Sequence, residues 1–109
     1  MEIKTSENLC IITPLSPKMD NRQTDRLCEE ILAHSNDRIG LDLDFVQDCT
    51  IEFLNKVFRF KNINVFNINP EVFALFNLMD IDKKSNLFVS EEDFLNNSHR
   101  LLNRRFSIV

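Results

Sequence analysis

The 109-residue chain has one glycine, Gly40, and neither tyrosine nor tryptophan. A single glycine excludes the Rossmann fingerprint and the P-loop, because both need several glycines for a backbone to approach a phosphate closely. There is no run of about 18 apolar residues and no N-terminal apolar segment of the exporting kind, so neither a membrane span nor secretion is expected. Cys10, Cys28 and Cys49 are odd in number and form no CxxC pair. That pattern favours reduced thiols in a cytoplasm over a disulfide framework, with Cys10 and Cys28 read as core atoms.

What is present is an ordinary globular composition: 43% hydrophobic and 28% charged residues, with ten phenylalanines. A single domain of this size buries roughly two thirds of the surface its unfolded chain exposes, so it needs neither metal nor disulfide to fold. The net charge of −4 is unevenly spread. Residues 1–98 carry 10 basic against 17 acidic side chains, whereas the last eleven hold Arg100, Arg104 and Arg105 and no acid. An acidic body of this kind repels nucleic acid and anionic membrane. The arginine cluster is suited to pairing with the body's own acids or with an acidic partner.

Hydrophobic periodicity gives the element order. Asn8–Thr13 is a short apolar run closed by Pro14, as in a strand buried on both faces, with a shorter strand expected before it at Glu2–Thr5. Leu15–Asn21 reads as a loop, and Asp20 or Asn21 as the N-cap of a helix reaching Ser35. Arg38–Asp44 alternates as a strand, Phe45–Asp48 reads as its exit loop, and Ile51, Phe53, Leu54, Val57, Phe58 and Phe60 form an apolar stripe at helical spacing. Asn64–Ile68 follows as a strand. Asn69-Pro70-Glu71 then opens a helix with a capping side chain, a residue needing no donor, and an acid at the positive end. Val72, Phe73, Leu75, Phe76 and Met79 make that helix apolar nearly all round, so it should be well buried. Leu87–Val89 is a short strand, and Ser90 caps a last helix with three acids in its first turn. The tail could extend this helix or end as a strand at Phe106–Val109. Strands alternating with helices in this way call for a parallel or mixed sheet with right-handed crossovers.

With these residues in place the chain resembles the STAS domain, the family of bacterial anti-sigma factor antagonists. Met19-Asp20 stands where the family has a Leu-Asp loop, Leu41-Asp42-Leu43-Asp44 at its second strand, and Val65–Phe76 at its next strand and helix. Leu87–Asp93 resembles the last strand and acidic helix start. The likeness spans residues 8–97 and lies in arrangement more than in any one motif. It implies an α/β fold: a small mixed sheet of four to five strands with four helices mostly on one face, a single domain over residues 1–109 with a basic tail at 98–109.

The signature turn is where the sequence departs from the family. The family's Asp-Ser-Ser-Gly falls on Thr50, Ile51, Glu52 and Phe53 when aligned without a gap, or begins at Asp48-Cys49-Thr50 after a two-residue deletion. In either alignment the serine that cognate kinases phosphorylate is replaced, by Ile51 or Cys49, and the glycine is missing. Thr50 fits an N-cap, and Glu52 fits either a dipole-favoured first-turn acid or a permanent negative charge at the switch position. With Phe53 where the family has glycine, the turn should take an ordinary right-handed helical backbone or a different shape, since a Phe at positive φ is strained.

The resemblance places a partner-binding surface on Met19, Asp20, Asn21, Asp48, Thr50, Glu52, Phe53, Asn69 and Glu71. It implies a non-enzymatic domain that binds a protein, either an anti-sigma factor or its kinase, the ATPase of a lipid transporter as an accessory subunit, or a larger sensory assembly as a scaffold. No cofactor is expected. No metal site is expected either, because His34 and His99 are not spaced as a pair, and neither Asp42 with Asp44 nor Asp80 with Asp82 has a glutamate at calcium-loop spacing.

Overall fold

The computed structural model describes residues 1–97. His99, the arginine cluster and the expected Phe106–Val109 strand lie outside the described residues. The elements are β1 (Glu2–Ser6), β2 (Leu9–Thr13), β3 (Lys18–Met19), α1 (Asn21–Ala33), β4 (Arg38–Asp42), β5 (Asp48–Cys49), α2 (Ile51–Val57), β6 (Asn64–Phe66), α3 (Pro70–Leu78), a 3₁₀ turn at Ile81–Lys83, β7 (Asn86–Leu87) and α4 (Glu91–Asn96). Five strands form the main sheet in the order β1-β2-β4-β6-β7. β1 is antiparallel to β2 and every other neighbour is parallel.

This order explains where the helices lie. Each crossover from β2 to β4, β6 and β7 advances one place in the same direction, so crossovers of one hand put α1, α2 and α3 on the same face. Leu27 and Ile31 of α1, Phe53, Leu54 and Val57 of α2, and Val72 and Phe76 of α3 share one core with Cys10, Ile12, Leu41 and Val65 of the sheet. The last described helix, α4, covers the opposite face, where Phe94 packs with Ile11, Phe66 and Phe88. Alternation along β2 feeds both cores, with Cys10 and Ile12 on one side and Ile11 on the other.

Gly40 is in the centre of β4 for a steric reason. A Cβ at this position would lie 2.7 and 2.8 Å from two ring carbons of Phe94 and 2.9 Å from one of Phe66, so the ring of α4 rests directly on the backbone. Its φ is not positive. The left-handed positions among the described residues are taken instead by Asn8, Asn62, Asn67, Asp80 and Asn97, with φ between 56° and 62°. Asparagine and aspartate are the side chains that tolerate this region best, which gives a structural use for the asparagine-rich composition.

Several expectations need correction. Lys18–Met19 and Asp48–Cys49, read as parts of loops, pair with each other as a separate two-stranded parallel sheet. Strand β4 ends at Asp42 and β6 at Phe66, both earlier than their alternation suggests; β7 covers Asn86–Leu87, and α2 ends at Val57. Ile51 is 63% exposed and lies off the apolar stripe of α2. The α3 helix is not buried all round: Val72 and Phe76 face the core while Leu78 is 79% exposed. Cys28 is only half-buried. Among the described residues no helix is long and apolar enough to cross a membrane.

Candidate functional site

Three helices begin at the carboxyl ends of the parallel strands, and each is capped by a side chain that the sequence marks. Asp20 accepts from the amide of Gln23 at 3.0 Å, Thr50 from that of Phe53 at 3.1 Å, and Asn69 from that of Val72 at 3.0 Å. Each bond satisfies an amide that the first helical turn leaves without a partner. The starts of α1 and α2 are tied side by side by the small sheet. Lys18 pairs with Asp48 and Met19 with Cys49, the Pro17 carbonyl accepts from the amides of Gln47 and Asp48, and the Thr50 amide donates to the Met19 carbonyl at 3.2 Å. Thr50 Oγ1 also donates to Asn21 Oδ1 at 3.3 Å.

The start of α3 is joined to the same end. Asn69 Nδ2 donates to the Val46 carbonyl, and Asn67, at φ 56°, donates from Nδ2 to Asp42 Oδ1 at 3.1 Å. The same carboxylate oxygen accepts from the Asp44 amide at 3.1 Å. Asp44, Gln47, Asn69 and Glu71 line a depression of about 520 Å³ between these loops. Among the described residues no three His, Cys, Asp or Glu side chains converge as metal ligands.

Of the residues expected on a partner surface, Asp20, Asn21, Asp48, Glu52 and Glu71 are exposed, and Thr50 and Asn69 are half-buried. Met19 and Phe53 have no exposed area and serve as packing beneath the site. Cys49 is buried in β5, and burial, reinforced by the Asp48 carboxylate, pushes its thiol up to about 11. A thiol held in this state is a poor nucleophile at neutral pH. Phe53 lies inside α2 with a right-handed backbone.

The Glu52 carboxylate is in the first turn of α2, 3.6 Å from Lys56 one turn on, and Lys56 also meets Asp25 of α1 at 3.1 Å. The Asp25 bond and charge, with Glu52 adding to them, raise the Lys56 ammonium above its ordinary pKa. Sequence reading missed the apolar part of this end. Leu15 and Phe45, on the loops leaving β2 and β4, are 51% and 50% exposed, and Ile51 joins them at the start of α2. Their signal was the presence of large apolar residues within polar loop segments.

No family model matches the sequence, and no curated protein matches it. Solved structures do match. A protein from Thermotoga maritima assigned as an anti-sigma factor antagonist superposes with a TM-score of 0.78 at 11% identity, over 88% of this chain and 92% of that one. The murine anion transporter Solute Carrier 26 family member A9, in its inward-facing state, matches with a TM-score of 0.66 at 16% identity, over 83% of this chain. This chain spans 17% of that transporter. The chain therefore has the STAS fold that its sequence resembles, with, among the described residues, a five-stranded mixed sheet and three of four helices on one face.

Proposed function

We propose that the chain is a non-enzymatic protein-interaction domain of bacterial cytoplasmic regulation, acting as an anti-sigma factor antagonist without the usual serine switch. The observation that carries this reading is the joined end of the sheet. Three capped helix starts are fixed to one another there and present exposed Leu15, Phe45 and Ile51 among the carboxylates of Asp20, Asp44, Asp48, Glu52 and Glu71. Lys18 and Arg22 are exposed cations at the same end, and Lys56 pairs with Glu52 at 3.6 Å. Such a surface fits a partner with basic groups around an apolar recess.

The switch position supports the second half of the proposal. Ile51 has no hydroxyl, Cys49 is buried, and the Thr50 hydroxyl is engaged in holding the Phe53 amide and Asn21. Glu52, next to Ile51 and 3.6 Å from Lys56, is then a fixed carboxylate in the turn where the family adds and removes a phosphate. Affinity capture from the native cell should recover an anti-sigma factor or its kinase domain. With that partner in hand, Glu52→Ser should change the dissociation constant by about tenfold or more, or about 1.4 kcal/mol, in a calorimetric titration. An unchanged constant would refute the fixed-charge role, and recovery of no regulatory protein would refute the antagonist role.

A second reading, an accessory subunit of a membrane transport ATPase, draws on the match to a domain-sized part of a transporter. Co-purification with a membrane ATPase in the same capture would select it over the first.

A further inference from the structure

The opposite end of the sheet carries a different group of residues. A cleft of about 570 Å³ opens at the amino ends of β4, β6 and β7, floored by Ile31, Ile39 and Ile63. Its volume is in the range of small-molecule sites. Open α/β sheets usually bind ligands at their carboxyl ends, so a cleft at this end needs chemistry of its own to count as a site.

Arg38 supplies that chemistry. Its guanidinium lies 4.0 Å from the centroid of the Phe94 ring and 5.8 Å from that of Phe88, which fixes the group in place. Burial lowers its pKa from the ordinary arginine value, yet an arginine remains charged at any physiological pH. Among the described residues no carboxylate forms an ion pair with it; its hydrogen bond is a long one, 3.4 Å, to Asn97 Oδ1. Asp37 also lines the cleft, and its carboxylate stands 3.5 Å from His34 Nδ1, a contact that offsets its charge only when the imidazole is protonated. A fixed, partly desolvated guanidinium with no ion-paired carboxylate can take a bound oxyanion as its counter-charge.

The cleft walls add neutral hydrogen-bonding groups. Asn64 is satisfied internally, donating to the Ile39 carbonyl at 2.8 Å and accepting from Asn86 Nδ2 at 3.1 Å. That ladder leaves Asn86 Oδ1 open, and the carboxamides of Asn36 and Asn62 have no hydrogen-bond partner among the described residues. Lys61 stands exposed on the rim. We infer that this cleft is a binding site for a small organic oxyanion, a carboxylate or phosphate ester, held at its charged end by Arg38 and Lys61 and along its polar body by the asparagines. This site is independent of the interaction surface at the other end.

The test is a ¹H–¹⁵N correlation titration of the full chain at constant ionic strength with four probes: acetate, inorganic phosphate, citrate and glucose 6-phosphate. The carboxylate and phosphate arms separate the two ligand classes. The expected result is saturable shifts at Asn36, Arg38, Asn62 and Asn86 for at least one probe, with affinity falling tenfold or more in Arg38→Gln. Lys61→Glu and Asn36→Asp alter exposed side chains that make no ion pair or hydrogen bond among the described residues, so they keep the test decisive if Arg38→Gln disturbs folding; each should weaken binding at least threefold. Absence of saturation by all four probes would overturn the proposal, as would shifts that chloride reproduces or affinities unchanged in these variants.

Discussion

On one face of the sheet, helices of 13, 7 and 9 residues lay down a broad core of mixed aliphatic and aromatic side chains. On the other, a six-residue helix covers the strands with a single fully buried side chain, Phe94. The first face gains its stability from area, spread over many side chains of which any one is a modest fraction. The second depends on fit. Phe94 meets the bare backbone at Gly40, stacks with Phe66 at 5.4 Å between centroids, sets its ring against the edge or face of Phe88 at 5.6 Å, and carries the Arg38 guanidinium. A short helix has little intrinsic stability of its own, so among the described residues α4 is held chiefly by this ring and its Ser90 cap, with an exposed Lys4–Glu91 pair at 3.2 Å beside them.

The largest effect should come from breaking that fit. Phe94→Ala is expected to cost about 3–5 kcal/mol, measured as a fall in the urea midpoint; a loss under about 1 kcal/mol would mean the short-helix face is dispensable. Gly40→Ala comes next, at about 1–3 kcal/mol, since a Cβ under 3.0 Å from two rings forces them to move. In combination with Phe94→Leu its cost should shrink, because the branched side chain vacates the space that the ring tip fills. Additive costs in that double variant would place the clash elsewhere.

The broad face answers to pH instead. Cys49 has a folded-state pKa raised from 9.0 to about 11, chiefly by burial. Below pH 9 both states keep the proton; above it the unfolded chain releases the proton first, so stability falls as pH rises toward 11. The loss from this group is about 2 kcal/mol. Equilibrium unfolding of the parent and of Cys49→Ala at pH 8 and pH 10.5 should show a steeper alkaline decline in the parent, and parallel declines would remove Cys49 as a cause. The smallest effect belongs to the joined end. Thr50→Ala should cost about 1 kcal/mol through loss of the cap, whereas Thr50→Ser should stay close to the parent in thermal unfolding. Equal losses in both would show that the methyl group, rather than the hydroxyl, holds the start of α2.

Elements decided by neighbours in sequence were legible. The caps Asp20, Thr50, Asn69 and Ser90 each accept from the amide three residues on, and their pattern can be seen in the sequence because both partners lie within one turn. Boundaries of strands were harder. Asp42 ends β4 because its carboxylate turns to the Asn67 side chain and the Asp44 amide, a contact made across two loops. The β3–β5 pair has only two residues on each side, too few to show any period, and it exists because the loops before α1 and α2 meet.

The same division applies to the candidate site. The residue types at the signature turn, and the replacement of its serine and glycine, are facts of sequence. That Met19 and Phe53 turn inward, that Ile51 turns outward with Leu15 and Phe45, and that the Arg38 guanidinium sits on Phe94 are facts of packing between segments far apart in the chain.

By itself the sequence determined the order of the helices and main-sheet strands, the helix starts, the α/β class and the acidic balance, since each follows from local hydrogen bonding, hydrophobic period or composition. The tertiary structure decided which face each helix covers, why the one glycine is at position 40, and which polar groups converge at either end of the sheet. Those outcomes depend on distances between segments tens of residues apart, and such distances exist only once the chain has packed.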